Sequence, residues 1–280
     1  MRTLSIGHLT YDINMIVDNY PIEGSKNITK ELISCSGGSA NIVAYSLAKW
    51  NENSYISGVI GYDDVGNSMR KDMENNKVLT AYLETNYDIK TPVSYIIANS
   101  QNNSKTVITS KTSEFNIKKY EYDQPMDCVI SDGTEYNASV YAYNKYANGI
   151  TILNAKTPNK TLLDFFKYAK HVVVSQDVAE AMTGMKIDFN NPMTMATIYK
   201  KITDKYPNIN LLIKMEGKGT IYQVNGEIKI LADIKAEGID KTGAHDVFVA
   251  CIGYGLTNGY DIETTIRLAT IAASIILYIK

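Results

Sequence analysis

Cysteine is scarce in this chain: 3 residues in 280, at Cys35, Cys128 and Cys251. Their number is odd, they lie far apart and no pair has metal-type spacing, which suits a reducing, intracellular setting better than a disulfide framework. Net charge is nearly absent too. The 28 Lys and Arg against 30 Asp and Glu leave a formal balance of −2 with both signs scattered, so neither a nucleic-acid surface nor a membrane-surface patch is predicted. Long apolar runs are missing. Met1-Arg2 passes directly into a short apolar run ending at Gly7, without a signal-peptide core, and the last apolar stretch, Ile266 to Ile279, carries Arg267 and is too short for a bilayer. No internal repeat, long linker or low-complexity segment interrupts the chain, and no Gly-x-Gly-x-x-Gly follows the first apolar run, which argues against a dinucleotide-binding enzyme. These absences leave a cytoplasmic protein with small-molecule partners, long enough for one α/β domain with a real core.

Short apolar runs alternate with stretches of helical period. Strands are expected at Leu4–Ile6, Tyr55–Val59, Cys128–Ile130, Ile150–Leu153, His171–Val174 and Leu211–Met215. Helices are expected at Ser39–Trp50, Val65–Asn75, Tyr136–Tyr146, Thr161–Tyr168, Met193–Tyr206, Ala244–Leu256 and Ile262–Tyr278. The alternation predicts a mostly parallel sheet covered on both faces, with ligands at the carboxyl ends of its strands. Two regions break it. Asp12–Val17 and Asn27–Ile33 read as extended segments joined across Pro21 and Gly24, and Val93–Ala98 with Thr106–Thr109 reads as a hairpin turned at Gln101-Asn102-Asn103. Four strands without helices between them suggest a second, small sheet, either a lid over a bound ligand or an ordinary antiparallel extension.

Two glycine turns carry the candidate chemistry. Near the C-terminus, Asp240-Lys241-Thr242-Gly243-Ala244-His245-Asp246 brackets a small-residue turn with two carboxylates and runs into an apolar helix. Small residues at a helix start let several backbone N–H groups converge on an anion, with the helix dipole adding to them. A carboxylate one step inside the helix can then take a proton from a hydroxyl attacking phosphorus. The bland alternative is a turn built for packing. Earlier, Gly37-Gly38-Ser39-Ala40-Asn41 precedes an apolar helix, with Ser39 as its cap and Asn41 facing a ligand, and Gly7 ends the first strand five residues before Asp12. Taken singly, Asp12 reads equally well as a turn residue, and Asn41 as a cap.

The order of these pieces, with Gly61-Tyr62-Asp63-Asp64-Val65-Gly66 between them, resembles the ribokinase-like carbohydrate kinases of the PfkB family over nearly the whole chain. Gly7-His8-Leu9-Thr10-Tyr11-Asp12 with Tyr20-Pro21 looks like the archaeal sugar and nucleoside kinases of that group. The resemblance implies a ribokinase-like three-layer α/β/α domain over residues 1–280, with a small β-sheet lid drawn from about 12–34 and 92–110. It implies an ATP-dependent phosphotransferase acting on a hydroxyl, typically a hydroxymethyl, of a sugar or nucleoside. Asp246 would be the general base, the backbone from Gly243 through Ala244 and His245 to Asp246 the anion hole, and Asp12, Gly38 and Asn41 the acceptor site. Magnesium would come with ATP, a monovalent cation is allowed, and no metal ligand is assigned. Lid edges left open would favour a homodimer.

The donor side departs from the family. His245 stands where relatives carry glycine, so an imidazole crowds the anion hole, turns away from it, or adds a cation when protonated. The family's Asn-x-x-Glu aligns with Ser175-Gln176-Asp177-Val178, leaving Asp177 or Glu180 either to order metal-bound water or to sit solvated at a helix start. Lys214-Met215-Glu216-Gly217-Lys218-Gly219 replaces Thr-x-Gly-x-x-Gly, which makes Lys214, Gly217 and Gly219 nucleotide-binding candidates, with Lys214 on phosphate or merely capping its strand. The strand ending at Asn154 lacks the aspartate often found there, and the chain ends at Lys280 where relatives continue around the adenine. Weak or unusual donor binding is expected. The alternative is a catalytically silent relative that binds a sugar or nucleoside. Tyr11 and Tyr95 either stack on a base or pack the lid, and with 21 tyrosines against 5 phenylalanines their presence discriminates nothing.

Overall fold

The chain opens with strands β1 (Arg2–Ile6), β2 (Thr10–Val17) and β3 (Glu31–Gly37), then α1 (Ser39–Lys49), β4 (Asn53–Gly61), α2 (Asp64–Asn75) and β5 (Leu79–Asn86). A hairpin of β6 (Val93–Asn99) and β7 (Lys105–Ser110) precedes β8 (Cys128–Ser131), α3 (Tyr136–Lys145), β9 (Ile150–Ala155), α4 (Leu162–Phe165) and β10 (His171–Ser175). The remainder is α5 (Gln176–Thr183), α6 (Pro192–Lys205), β11 (Asn210–Met215), β12 (Gly219–Val224), β13 (Glu227–Leu231), α7 (Ala244–Thr257) and α8 (Ile262–Ile279). This computed structural model describes residues 1–102, 104–110, 116–159, 161–215, 217–234 and 243–279. Asp240 to Thr242 of the C-terminal turn, Asn103 of the hairpin and Glu216 lie outside the described residues.

Nine strands make one sheet in the order β13-β12-β11-β10-β9-β8-β1-β4-β5, and four make a second, β3-β2-β6-β7. From β11 to β5 neighbouring strands run parallel, while β12 and β13 add an antiparallel edge. Near-continuous apolar runs such as His171–Ser175 suit strands buried on both faces. Two apolar layers result. One side packs Tyr143, Phe165 and Ile198, and the other packs Leu47, Phe248 and Ile266, the latter from α1, α7 and α8. Tyrosine fills core space where phenylalanine is scarce, because its hydroxyl finds a partner: Tyr143 donates to Ile152 O at 2.7 Å and Tyr122 pairs with Ser57 Oγ at 3.0 Å. No described helix is long and apolar enough to cross a membrane.

Several elements differ from the sequence expectation. The segment expected at Asn27–Ile33 forms its strand four residues later, as β3, because the register runs from Thr10 opposite Gly37 to Ile16 opposite Glu31. Thr29 instead closes the loop, its hydroxyl donating to Ile16 O at 2.9 Å. The helix expected over Thr161–Tyr168 is the single turn α4, followed by tight bonds from Phe166 N to Leu163 O and Tyr168 N to Phe165 O. The strands β5, β12 and β13 and the helix α5 were not expected.

The Gly61–Gly66 motif joins the two sheets. Asp63 caps α2 by accepting from Gly66 N at 2.8 Å, and it also accepts from Thr91 N at 2.8 Å and Thr91 Oγ1 at 2.7 Å, just before β6. Burial pushes its carboxyl up, but these bonds outweigh that and hold it below the ordinary 3.8. Asp63 therefore contributes stability that is complete above the unfolded value and is lost as pH falls through the depressed one. Asp63→Ala is expected to cost about 2 kcal/mol in urea unfolding at pH 7, and the gap between the two proteins should shrink below pH 4.

Candidate active site

The carboxyl ends of β1, β4, β8 and β9 converge on one cavity of about 440 Å³, with the small sheet across its mouth. Asp12, Gly38 and Asp246 line it together, with His8, Glu135 and Lys156. Leu9, Ile42, Val59 and Ile96 supply an apolar wall. Lid strands contribute Ser94 and Ile96 from β6 and Lys105 and Val107 from β7. A second cavity of about 280 Å³ lies beneath Gly37 and holds Asn41 and Gly243, with Asp12 bordering both spaces.

Each predicted residue has a definite setting. Asp12 is 8% exposed and accepts from Thr10 Oγ1 at 2.7 Å, which aims the carboxylate from β2. Glycine at 37 makes room for it, since a Cβ there would stand 2.1 Å from Asp12 Oδ2. Asn41 donates through Nδ2 to Ser36 O at 3.1 Å, and its buried Oδ1 has no partner among the described residues, so it borders the second cavity rather than the first. Ser39 does not cap α1. The N-cap is Gly38, with φ 93° and no side-chain cap, and α7 likewise begins at Gly243, with φ 86° and no side-chain cap. A Cβ on Gly243 would lie 3.3 Å from Ile42 Cδ1, so two uncapped helix starts stand side by side with their N–H groups open to a ligand.

Asp246 is wholly shielded from bulk water, and each of its carboxylate oxygens carries one hydrogen bond. Asn154 Nδ2 donates to Oδ1 at 2.9 Å and Lys156 Nζ to Oδ2 at 3.0 Å. Burial alone would raise its pKa, but the Lys156 charge and these two hydrogen bonds outweigh burial and keep it below the ordinary value. A carboxylate so held is ionised at neutral pH and can accept a proton. His245, next to it, is 4% exposed and lines neither of these two cavities, and its buried Nε2 has no hydrogen-bond partner among the described residues. Burial pulls it down to about 4, against the pull of Asp246, so it is neutral at pH 7 and adds no cation there.

The nucleotide candidates are not drawn into this space. Lys214 is buried, its ammonium held by Asp233 at 2.5 and 2.6 Å and lying 5.3 Å over the Phe248 ring. Gly217 sits in the turn after β11 and Gly219 begins β12, and neither lines the two cavities. Glu180 is consumed by Lys186, Gln176 and Ile187 N, which removes it as a metal partner, whereas Asp177 is exposed in the first turn of α5. No group of three or more His, Cys, Asp or Glu among the described residues could cage a metal. Tyr11 and Tyr95 line neither cavity.

Sequence reasoning missed His8, Asp132, Glu135 and Lys156. Asp132 accepts from His8 N at 2.9 Å and meets His8 Nδ1 at 2.6 Å, tying the ends of β1 and β8 together. A charged residue one or two places beyond a strand's carboxyl end was the available signal for Asp132 and Lys156.

A family model described as pfkB family carbohydrate kinase matches residues 2–278. The bifunctional protein HldE of Sulfurimonas denitrificans is 27% identical over 90% of this chain, which spans about half (54%) of that relative's length. The ribokinase of Lactococcus lactis is 24% identical over 96% of the chain and 88% of its own. Among solved structures, Arabidopsis thaliana ribokinase complexed with ribose and ATP superposes with a TM-score of 0.81 at 18% identity, covering 100% of this chain and 93% of its own. These likenesses give no support to a silent sugar-binding relative.

Proposed function

The chain belongs to the pfkB family of carbohydrate kinases, and from that premise we propose that it transfers the terminal phosphoryl group of ATP to a hydroxymethyl group of a sugar or nucleoside. The observation that carries this reading is the meeting of Asp246 and Asp12 on one cavity, beside two uncapped helix starts. Asp12 accepts hydrogen bonds from acceptor hydroxyls and Gly38 lets the ligand approach the backbone, with Asn41 supporting from beneath. An acceptor hydroxyl gives its proton to Asp246 as its oxygen bonds to phosphorus, and the bond from phosphorus to the bridging oxygen of ADP breaks. Backbone N–H groups from Gly243 to Asp246 meet the charge on the moving phosphoryl oxygens. Magnesium bound with ATP neutralises phosphate charge. Closure of the small sheet excludes water that would compete as acceptor. Lys214, held by Asp233, supports the donor site from behind, with Gly217 and Gly219 shaping the turn nearest the nucleotide. We place the enzyme in the cytoplasm.

The test is a panel of pentoses, hexoses, nucleosides and their phosphates offered with magnesium-ATP, with ADP release followed. Release above the acceptor-free rate for at least one acceptor is expected, and its absence across the panel would remove the proposal.

We further propose that the protein dimerises through the outer face of the small sheet. Register places Ile13, Tyr95 and Ile108 in one row and Leu32, Met15 and Ile97 in the next, all on the face away from the cavity. Leu32 is 60% and Ile108 59% exposed, so the face is an apolar patch of the kind that marks an interface. Light scattering behind size exclusion is expected to give a dimer mass that falls to the monomer mass in Ile108→Asp. A monomer mass for the parent chain would end this reading.

A further inference from the structure

Asp246 is gripped by two side chains of different character. Asn154, 1% exposed, offers a neutral bond to Oδ1 and fixes the plane of the carboxylate. Lys156 offers a charged one to Oδ2, from a side chain 39% exposed against a partner that is 0% exposed. Both partners line the cavity, the anion closed off from bulk water and the cation partly open to it. The lysine also springs from an anchored backbone. Ser175 Oγ donates to Lys156 O at 2.9 Å while accepting from Val178 N at 3.2 Å at the start of α5. One hydroxyl thus ties the start of α5 to the backbone carbonyl from which the lysine springs.

We propose that Lys156 is the positioning residue for the base: it holds Asp246 ionised and aligned before transfer, and its charge is turned toward the phosphoryl group as Asp246 takes the proton, an assignment that rests on the phosphotransfer reading above. The electron and proton balance is simple. The acceptor O–H bond breaks with its proton going to Asp246, the O–P bond forms, and the electrons of the broken P–O bond leave with ADP. Lys156 keeps its own proton throughout. Before transfer its ammonium faces a carboxylate, and afterwards it faces a neutral acid beside a newly bound phosphate.

Other charged groups surround Asp246 without replacing this contact. His245 is its neighbour on α7 and Lys214 of β11 lies behind that imidazole, while His8, Asp12, Lys105 and Glu135 line the cavity from β1, β2, β7 and the turn before α3. Of these and Lys156, only Lys156 is hydrogen-bonded to the carboxylate among the described contacts. An opposite charge this close typically lowers a carboxyl pKa by about 1–3, so its removal should raise the Asp246 midpoint by a similar amount.

Carbon-13 NMR of aspartate-labelled protein reads that midpoint directly, with the Asp246 signal identified by its loss in Asp246→Asn. Lys156→Gln is expected to raise the midpoint by about 1–3, and Lys156→Arg, which keeps the charge, to restore most of the difference. The acid limb of kcat/KM should move upward by the same amount in Lys156→Gln. An unchanged Asp246 midpoint in a folded Lys156→Gln protein would overturn the proposal, whatever happened to turnover. If no acceptor in the panel turns over, the kinase reading falls, while the NMR titration still decides the role of Lys156.

Discussion

Asp246→Asn is expected to lower turnover by about 10²–10⁴-fold while leaving acceptor affinity within about twofold. The substitution is nearly isosteric, so the apolar walls and Asp12 keep their places, and the backbone N–H at position 246 still points from the start of α7. What disappears is the acceptor of the proton. A sugar hydroxyl is almost fully protonated at neutral pH, and in a site shielded from bulk water no other group is hydrogen-bonded into the same place. Coupled ADP release measures the first quantity, and calorimetric titration with the best acceptor of the panel measures the second. Equal rates for the two proteins would remove the base role. A parallel collapse of acceptor binding would instead make Asp246 a structural anchor.

The second large effect belongs to Gly38→Ala. Gly38 has φ 93°, where a side chain is strained, and an added Cβ would stand 2.4 Å from His8 O and 2.9 Å from Leu9 Cα. Both are backbone atoms, and His8 is pinned by two contacts to Asp132. Relief therefore requires the β1–β2 turn and the start of α1 to separate, which opens the cavity at its floor. A loss of about 3 kcal/mol and a fall of roughly 6–12 °C in the thermal midpoint are expected, together with weakened acceptor binding. Gly184→Ala is the control, because Gly184 has φ 67° but open space around it. If the two variants melted together, the close approach at Gly38 would carry no weight.

Much of this architecture is written locally. The runs at Leu4–Ile6, Cys128–Ile130 and Leu211–Met215 are strands because each is a short apolar stretch buried on both faces and bounded by turn residues. Edge elements such as β13, half polar and only partly buried, carry no such signature. The slip in β3 has a non-local cause, since its span is dictated by pairing with the eight residues of β2 rather than by its own β-branched residues. The helix expected at Thr161–Tyr168 is one turn, after which the chain tightens into turns bonded from Phe166 N to Leu163 O and from Tyr168 N to Phe165 O. At the site, the two glycine turns with Asp12 and Asp246 stood out in the sequence, but taken singly each read as well as a turn or a cap, and it was their order, through its resemblance to the pfkB kinases, that suggested their roles. Lys156 was not, because its contact with Asp246 bridges 90 positions and no local pattern encodes it. The fate of His245 was equally hidden, for only the packing around α7 decides which way an imidazole turns.

Two helices that start on glycine at adjoining points bring like poles close together. Packing elsewhere in the molecule must outweigh that mutual repulsion for as long as the crevice is filled by solvent alone. An anion lodged there would turn the same repulsion into attraction, so occupancy and endurance would be linked.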